Sequence, residues 1–151
     1  MPHIVVLYTG NLDALDTLDT PHDGEAHPNF GLLCRRLADA LLTVRDESEA
    51  QVFPTGGVRV FAHPAAHFAV ADGQTPGTTD AGFVYINLRM GGGRSDAVKQ
   101  HTGDTLRAAA ATHFAPLLAA CAVGITLQID EGPEVFDAKL GNLHPFFTKA
   151  M

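Results

Sequence analysis

Met1-Pro2-His3-Ile4-Val5-Val6-Leu7-Tyr8 opens the chain, and the reading of this stretch decides the fold. Ile4, Val5 and Val6 form a continuous apolar run, the pattern of a strand buried on both faces. Pro2 stands at the first strand position, where a missing N–H costs the ladder little. That is a sufficient structural reason for a proline there. A chemical reason arises if Met1 is removed. Pro2 then begins the chain, and its nitrogen changes from an amide to a secondary amine. A free α-amino group titrates near pH ~8. Burial or nearby cations lower that value. Such an amine, held on a rigid strand, is a general base usable at neutral pH.

The rest of the chain repeats one plan. Asp13 to Pro28 holds five acidic residues, His22, His27 and two prolines, and reads as a polar surface loop without metal-ligand spacing. Asn29 can cap a helix in which Phe30, Leu33, Cys34, Leu37 and Leu41 share one face. That helix fades near Thr43 to Arg45. After a turn at Phe53-Pro54-Thr55-Gly56-Gly57, Val58, Val60 and Ala62 alternate with Arg59, Phe61 and His63 as a second strand. Ala71 to Asp80 is a loop between halves.

Gly82 to Met90 then reads as a strand, Gly91-Gly92-Gly93-Arg94 as a tight turn and Ser95 as a helix cap. The second helix carries Val98, Thr102, Leu106, Phe114, Leu117 and Cys121, with Pro116 expected to kink it. Gly124 is expected to close it before a last strand of Ile125, Leu127 and Ile129.

Strand, helix, strand occurs twice. Crossover helices imply parallel pairing within each half. The expected class is α/β: two consecutive β-α-β units forming one sheet, with helices on one face. One domain over 1–151 is expected, with halves at roughly 1–70 and 80–132 and a tail at 133–151. The tail's Phe136, Leu140, Leu143, Phe146 and Phe147 are expected to pack on a neighbouring subunit or on their own sheet.

Composition removes several function classes. A net charge of −7 over 151 residues argues against nucleic acid as a partner. No run of eighteen apolar residues suggests a membrane-spanning helix. The start lacks a basic segment followed by an apolar core, so a cytoplasmic location is expected. Cys34 and Cys121 have no metal spacing and read as buried free thiols in a reducing compartment. His63 and His67 are four apart, but Pro64 argues against the helix that would align them on a metal. No metal or cofactor is expected. An anionic substrate would require positive charge concentrated locally against the acidic background.

Two cations are candidates for that task. Arg59 begins the second strand, where charge pattern alone also allows an exposed edge-strand arginine. Arg94 follows three glycines, which let backbone approach a ligand, and precedes a helix start at Ser95 with unpaired N–H groups. Gly93, Arg94 and Ser95 together could hold a carboxylate, or form a plain strand-to-helix turn. The spacing is neither a dinucleotide nor a P-loop fingerprint.

Several stretches taken in order carry a resemblance. They are Pro2-His3-Ile4-Val5-Val6 with Tyr8-Thr9 and Asn11-Leu12, Phe53-Pro54…Gly57-Val58-Arg59, Ala71-Asp72-Gly73, Gly91-Gly92-Gly93-Arg94-Ser95, and Asn142-Leu143-His144. The chain resembles the tautomerase superfamily, and within it the 5-carboxymethyl-2-hydroxymuconate isomerase family. The likeness runs over most of the chain, with a gap at Asp13 to Pro28 that looks like an insertion. Leu7 stands where that family usually has Glu.

The resemblance implies a cofactor-independent isomerase of aromatic catabolism, a homotrimer with sites near subunit boundaries. Pro2 would be the general base. Arg59 and Arg94 would hold the carboxylates of a polycarboxylate substrate from homoprotocatechuate breakdown and offset dienolate charge, with Gly93 and Ser95 as further substrate contacts. Two alternatives stay open: a tautomerase for another 2-oxo or 2-hydroxy acid, and a trimeric relative without catalysis.

Overall fold

Strand β1 (His3–Thr9) is the first of four strands in the computed structural model, which describes residues 1–13, 27–76 and 80–147. Ile4, Val6 and Tyr8 are buried, whereas Val5 is half-buried and Leu7 is 46% exposed. The apolar run is therefore covered on one face only, not on both as its composition suggests. The cause lies in the layers: both long helices pack on the same side of the sheet.

Helix α1 (Phe30–Thr43) starts where expected, with the Asn29 side chain accepting from the Leu32 N–H. Its Phe30, Leu33, Leu37 and Leu41 are buried at helical spacing. Strand β2 (Arg59–Ala65) pairs parallel to β1, placing Arg59 beside His3. Pro64 is tolerated in it because β2 is an edge strand.

Strand β3 (Gly82–Met90) runs antiparallel to β1, and β4 (Val123–Glu131) runs parallel to β3. The order is β2-β1-β3-β4, so each half is a parallel pair with a crossover helix and the halves meet at an antiparallel seam. This is the expected α/β arrangement.

Helix α2 (Asp96–Ala120) is capped by Ser95, whose hydroxyl accepts from the Val98 N–H. It ends at Ala120 with Cys121 as its cap. Gly124 lies inside β4, against the expectation that it closes the helix. Its pairing with Phe83 explains the residue: a Cβ there would press on the Phe83 ring at 3.1 Å. Buried residues of both halves form one cluster, including Ile4, Leu37, Phe53, Ile86, Leu106 and Phe114. Each large side chain fully buried in it contributes about 1.5–3 kcal/mol.

Cys34 is half-buried and Cys121 exposed, so only the free state expected of the two thiols holds, not their burial. The helix side of the sheet fills before the end of α2, which leaves Cys121 at the rim. Most of the acidic stretch between Asp13 and Pro28 lies outside the described residues; of Asp13 itself, the carboxylate accepts from the Tyr8 hydroxyl at 2.8 Å. Among the described residues no cluster of His, Cys, Asp and Glu could hold a metal, and no helix is long and apolar enough to cross a membrane. The tail leaves the sheet at Glu131. Val135, Phe136 and Leu140 are exposed instead of packing on their own sheet, and a short helix α3 (His144–Phe147) ends the described chain.

Candidate active site

The register brings the start of β1 and the ends of its neighbours together. His3 sits between Arg59 on β2 and Arg89 on β3. Pro2 is buried, and its carbonyl accepts from the Arg59 backbone N–H at 3.4 Å. The Arg59 guanidinium is held by the turn before it: Nη1 donates to the carbonyls of Gly56 and, at 3.4 Å, Val58. Met1 and Arg59 line one cavity of about 490 Å3, walled by Pro54 to Gly57 on one side and by the tail on the other. Among the described residues none that lines it is acidic.

The electrostatics here favour neutral bases. The His3 imidazole is held below its ordinary value, first by partial burial, then by the positive chain start and Arg59.

Arg94 lies on the other side of the same turn. Its Nη1 donates to the Gly91 carbonyl at 2.7 Å, and its guanidinium stands 5.0 Å from the centre of the Phe53 ring, within cation–π reach. Phe53 directly precedes the residues that wall the Arg59 cavity, so the two arginines flank one turn.

The Gly91–Ser95 turn is not the open anion cradle its sequence suggests. The Gly93 N–H donates to Glu131 Oε1 at 3.1 Å, and Glu131 Oε2 pairs with Lys99 at 2.6 Å. Lys99 holds the Glu131 carboxyl below its ordinary value. The Ser95 hydroxyl donates to Glu47, which it likewise holds low. Gly93 itself has φ +100°, a backbone state that favours glycine. The cavity beside Arg94, about 330 Å3, is thus flanked by Asp46 and Glu47.

The structure therefore groups Pro2 with Arg59, and Arg94 with Gly93 and Ser95, as two neighbouring places. Sequence reasoning missed Glu131 and Glu47, which act across 38 and 48 residues of chain separation. It also missed Arg89, which the alternation of β3 places on the helix-free face but no motif marks. A larger cavity of about 960 Å3 between α2 and β4 contains none of the candidate residues.

Comparison with known proteins shows the family. The 5-carboxymethyl-2-hydroxymuconate isomerase family matches residues 2–147. A crystal structure of a 5-carboxymethyl-2-hydroxymuconate delta-isomerase is 51% identical, with 100% of this chain and 95% of that one covered and a TM-score of 0.84. A 5-carboxymethyl-2-hydroxymuconate isomerase from Deinococcus radiodurans R1 is 31% identical, with 98% and 95% covered and a TM-score of 0.74. The 5-carboxymethyl-2-hydroxymuconate Delta-isomerase of Escherichia coli is 31% identical over 96 residues, which is 64% of this chain and 73% of that one. With the doubled β-α-β sheet, the proline at the head of β1 and a family match that starts at that proline, the chain belongs to the 5-carboxymethyl-2-hydroxymuconate isomerase family and is an isomerase.

Proposed function

We propose that this protein isomerises 5-carboxymethyl-2-hydroxymuconate by proton transfer, without a cofactor, using Pro2 as general base once Met1 is removed. The observation that carries the reading is the buried Pro2 at the head of β1, next to a cavity that Met1 and Arg59 line, with the Glu134 carboxylate 3.9 Å from the Met1 amine. Loss of Met1 would empty part of that cavity and expose an amine to it.

The neutral amine takes a proton from the substrate and leaves a conjugated enolate. It then returns the proton to a different carbon, so the double bond shifts and no atom is gained or lost. Arg59 offsets the developing negative charge and holds a carboxylate. Arg94 serves a second carboxylate across the turn, and Gly93 and Ser95 join it only when Glu131 and Glu47 give way. A buried position beside Arg59 favours the neutral form of an amine at Pro2.

A homotrimer completes the proposal. Leu7, Phe61 and Phe83 are 46%, 48% and 39% exposed on strands whose other face carries the helices, and such an apolar face calls for a partner. Two free cysteines suit a cytoplasmic protein. A second reading, a tautomerase for a 2-oxo acid with fewer carboxylates, is favoured by Glu47 and Glu131, which crowd the Arg94 turn.

The test is the ultraviolet absorbance of 5-carboxymethyl-2-hydroxymuconate mixed with protein whose intact mass shows Met1 gone. Conversion well above the buffer rate is expected, and Pro2→Ala should lower it by about 10²–10⁴-fold. No acceleration by the wild-type protein would overturn the proposal.

A further inference from the structure

The tail after β4 brings a second cation to the Arg59 cavity. Ala138, Lys139, Leu140 and Gly141 line it opposite the Pro54–Gly57 turn. The tail is seated there by its end: the Phe147 ring packs so closely on Gly56 that any Cβ would collide with it, and Gly56 has φ +76°. Two cations and no acid thus line one cavity in a chain of net charge −7. The place beside Arg94 has the opposite character, with Asp46 and Glu47 at its wall.

We infer that Lys139 is a substrate-binding and specificity-determining residue, holding a further carboxylate of a polyanionic substrate, beyond those assigned to Arg59 and Arg94. The inference rests on the proposed function and adds to it a residue and a role for the tail. Lys139 pairs with Asp137 at 2.9 Å, an ion pair with both partners largely open to solvent. Exposed pairs of this kind are worth little, so an incoming carboxylate can compete for the ammonium. Asp137 is outside the cavity lining, and its carboxylate holds the Lys139 ammonium above its ordinary value. Arg59 has capacity to match: among the described residues its hydrogen bonds use Nη1 alone, leaving Nε and Nη2 for a ligand.

Steady-state kinetics with Met1-free protein test the assignment. Lys139→Gln should raise KM for the tricarboxylate substrate by about tenfold, with kcat changed much less, because a charge-assisted contact remote from the reacting carbon is lost. Lys139→Arg should restore KM to near the wild-type value. For a 2-oxo monocarboxylate that the wild type turns over, Lys139→Gln should leave KM unchanged. Phe147→Ala, which unseats the tail, should raise KM in the same direction. Unchanged KM in Lys139→Gln with an active wild type would overturn this inference alone. An inactive wild type would instead overturn the proposed function. An equal KM rise for monocarboxylate and tricarboxylate would also overturn the Lys139 inference, since a general loss of structure has no charge preference.

Discussion

The turns that carry Arg59 and Arg94 look alike in sequence and differ in chemistry. Each arginine donates to a carbonyl three residues back, Gly56 in one case and Gly91 in the other. Arg59 then faces a cavity shared with the chain start, whose lining holds no acidic residue among the described ones, with Glu134 3.9 Å from the Met1 amine. Arg94 rests on Phe53, and the donors beside it already serve Glu131 and Glu47. A glycine-rich turn before a helix is thus only a potential anion site. Whether it is open depends on which protein carboxylates reach it first, and those come from distant parts of the chain.

Breaking this contrast should cost most at Arg59. Arg59→Ala should lower kcat/KM by about 100-fold, the loss of charge-assisted contacts to a carboxylate and the enolate. Arg94→Ala should lower kcat/KM by about tenfold or less. It should also reduce thermal stability, since a cation–π contact contributes about 0.5–2 kcal/mol. Activity and melting curves on both variants check the ordering; a larger kinetic loss at Arg94 would reverse the comparison. Glu131→Gln sharpens it further, because it weakens the hold on Gly93 and Lys99. That variant should tighten binding of a carboxylate inhibitor severalfold while lowering Tm by a few degrees.

The smallest effect concerns pH. His3 titrates below its ordinary 6.5 when folded, so the unfolded chain binds more protons as pH falls through that region. Stability is therefore full above the unfolded value and declines on acidification. His3→Gln should flatten the change in Tm between about pH 7.5 and about pH 5.5.

Local signals in the sequence carried far. Asn29 and Ser95 cap the two helices as their side chains predict, because capping depends on three neighbouring residues. Alternation in 82–90 delimited β3 to the residue. What it left hidden was set by tertiary packing. Val5 and Leu7 are as apolar as Ile4 and Val6, and only the placement of both helices on one side leaves Leu7 exposed. The same placement answers the Leu7 substitution in part: it sits along β1 from Pro2 and is not among the residues lining the Arg59 cavity. Arg59 and Arg94 were legible as site residues only through resemblance, since charge pattern did not separate them from surface arginines. Lys139 was not legible at all. The tail has no periodicity, and its relation to Arg59 arises from the seat of Phe147 on Gly56.

The central claim is that catalysis depends on a free amine at Pro2. The most direct measurement compares isomerisation of 5-carboxymethyl-2-hydroxymuconate by two preparations of the same folded chain, one with Met1 removed and one with Met1 retained, each verified by intact mass. The account predicts activity in the first and a loss of at least about 100-fold in the second. Equal rates from both would contradict it, since the Pro2 nitrogen of the second is an amide and cannot accept the proton.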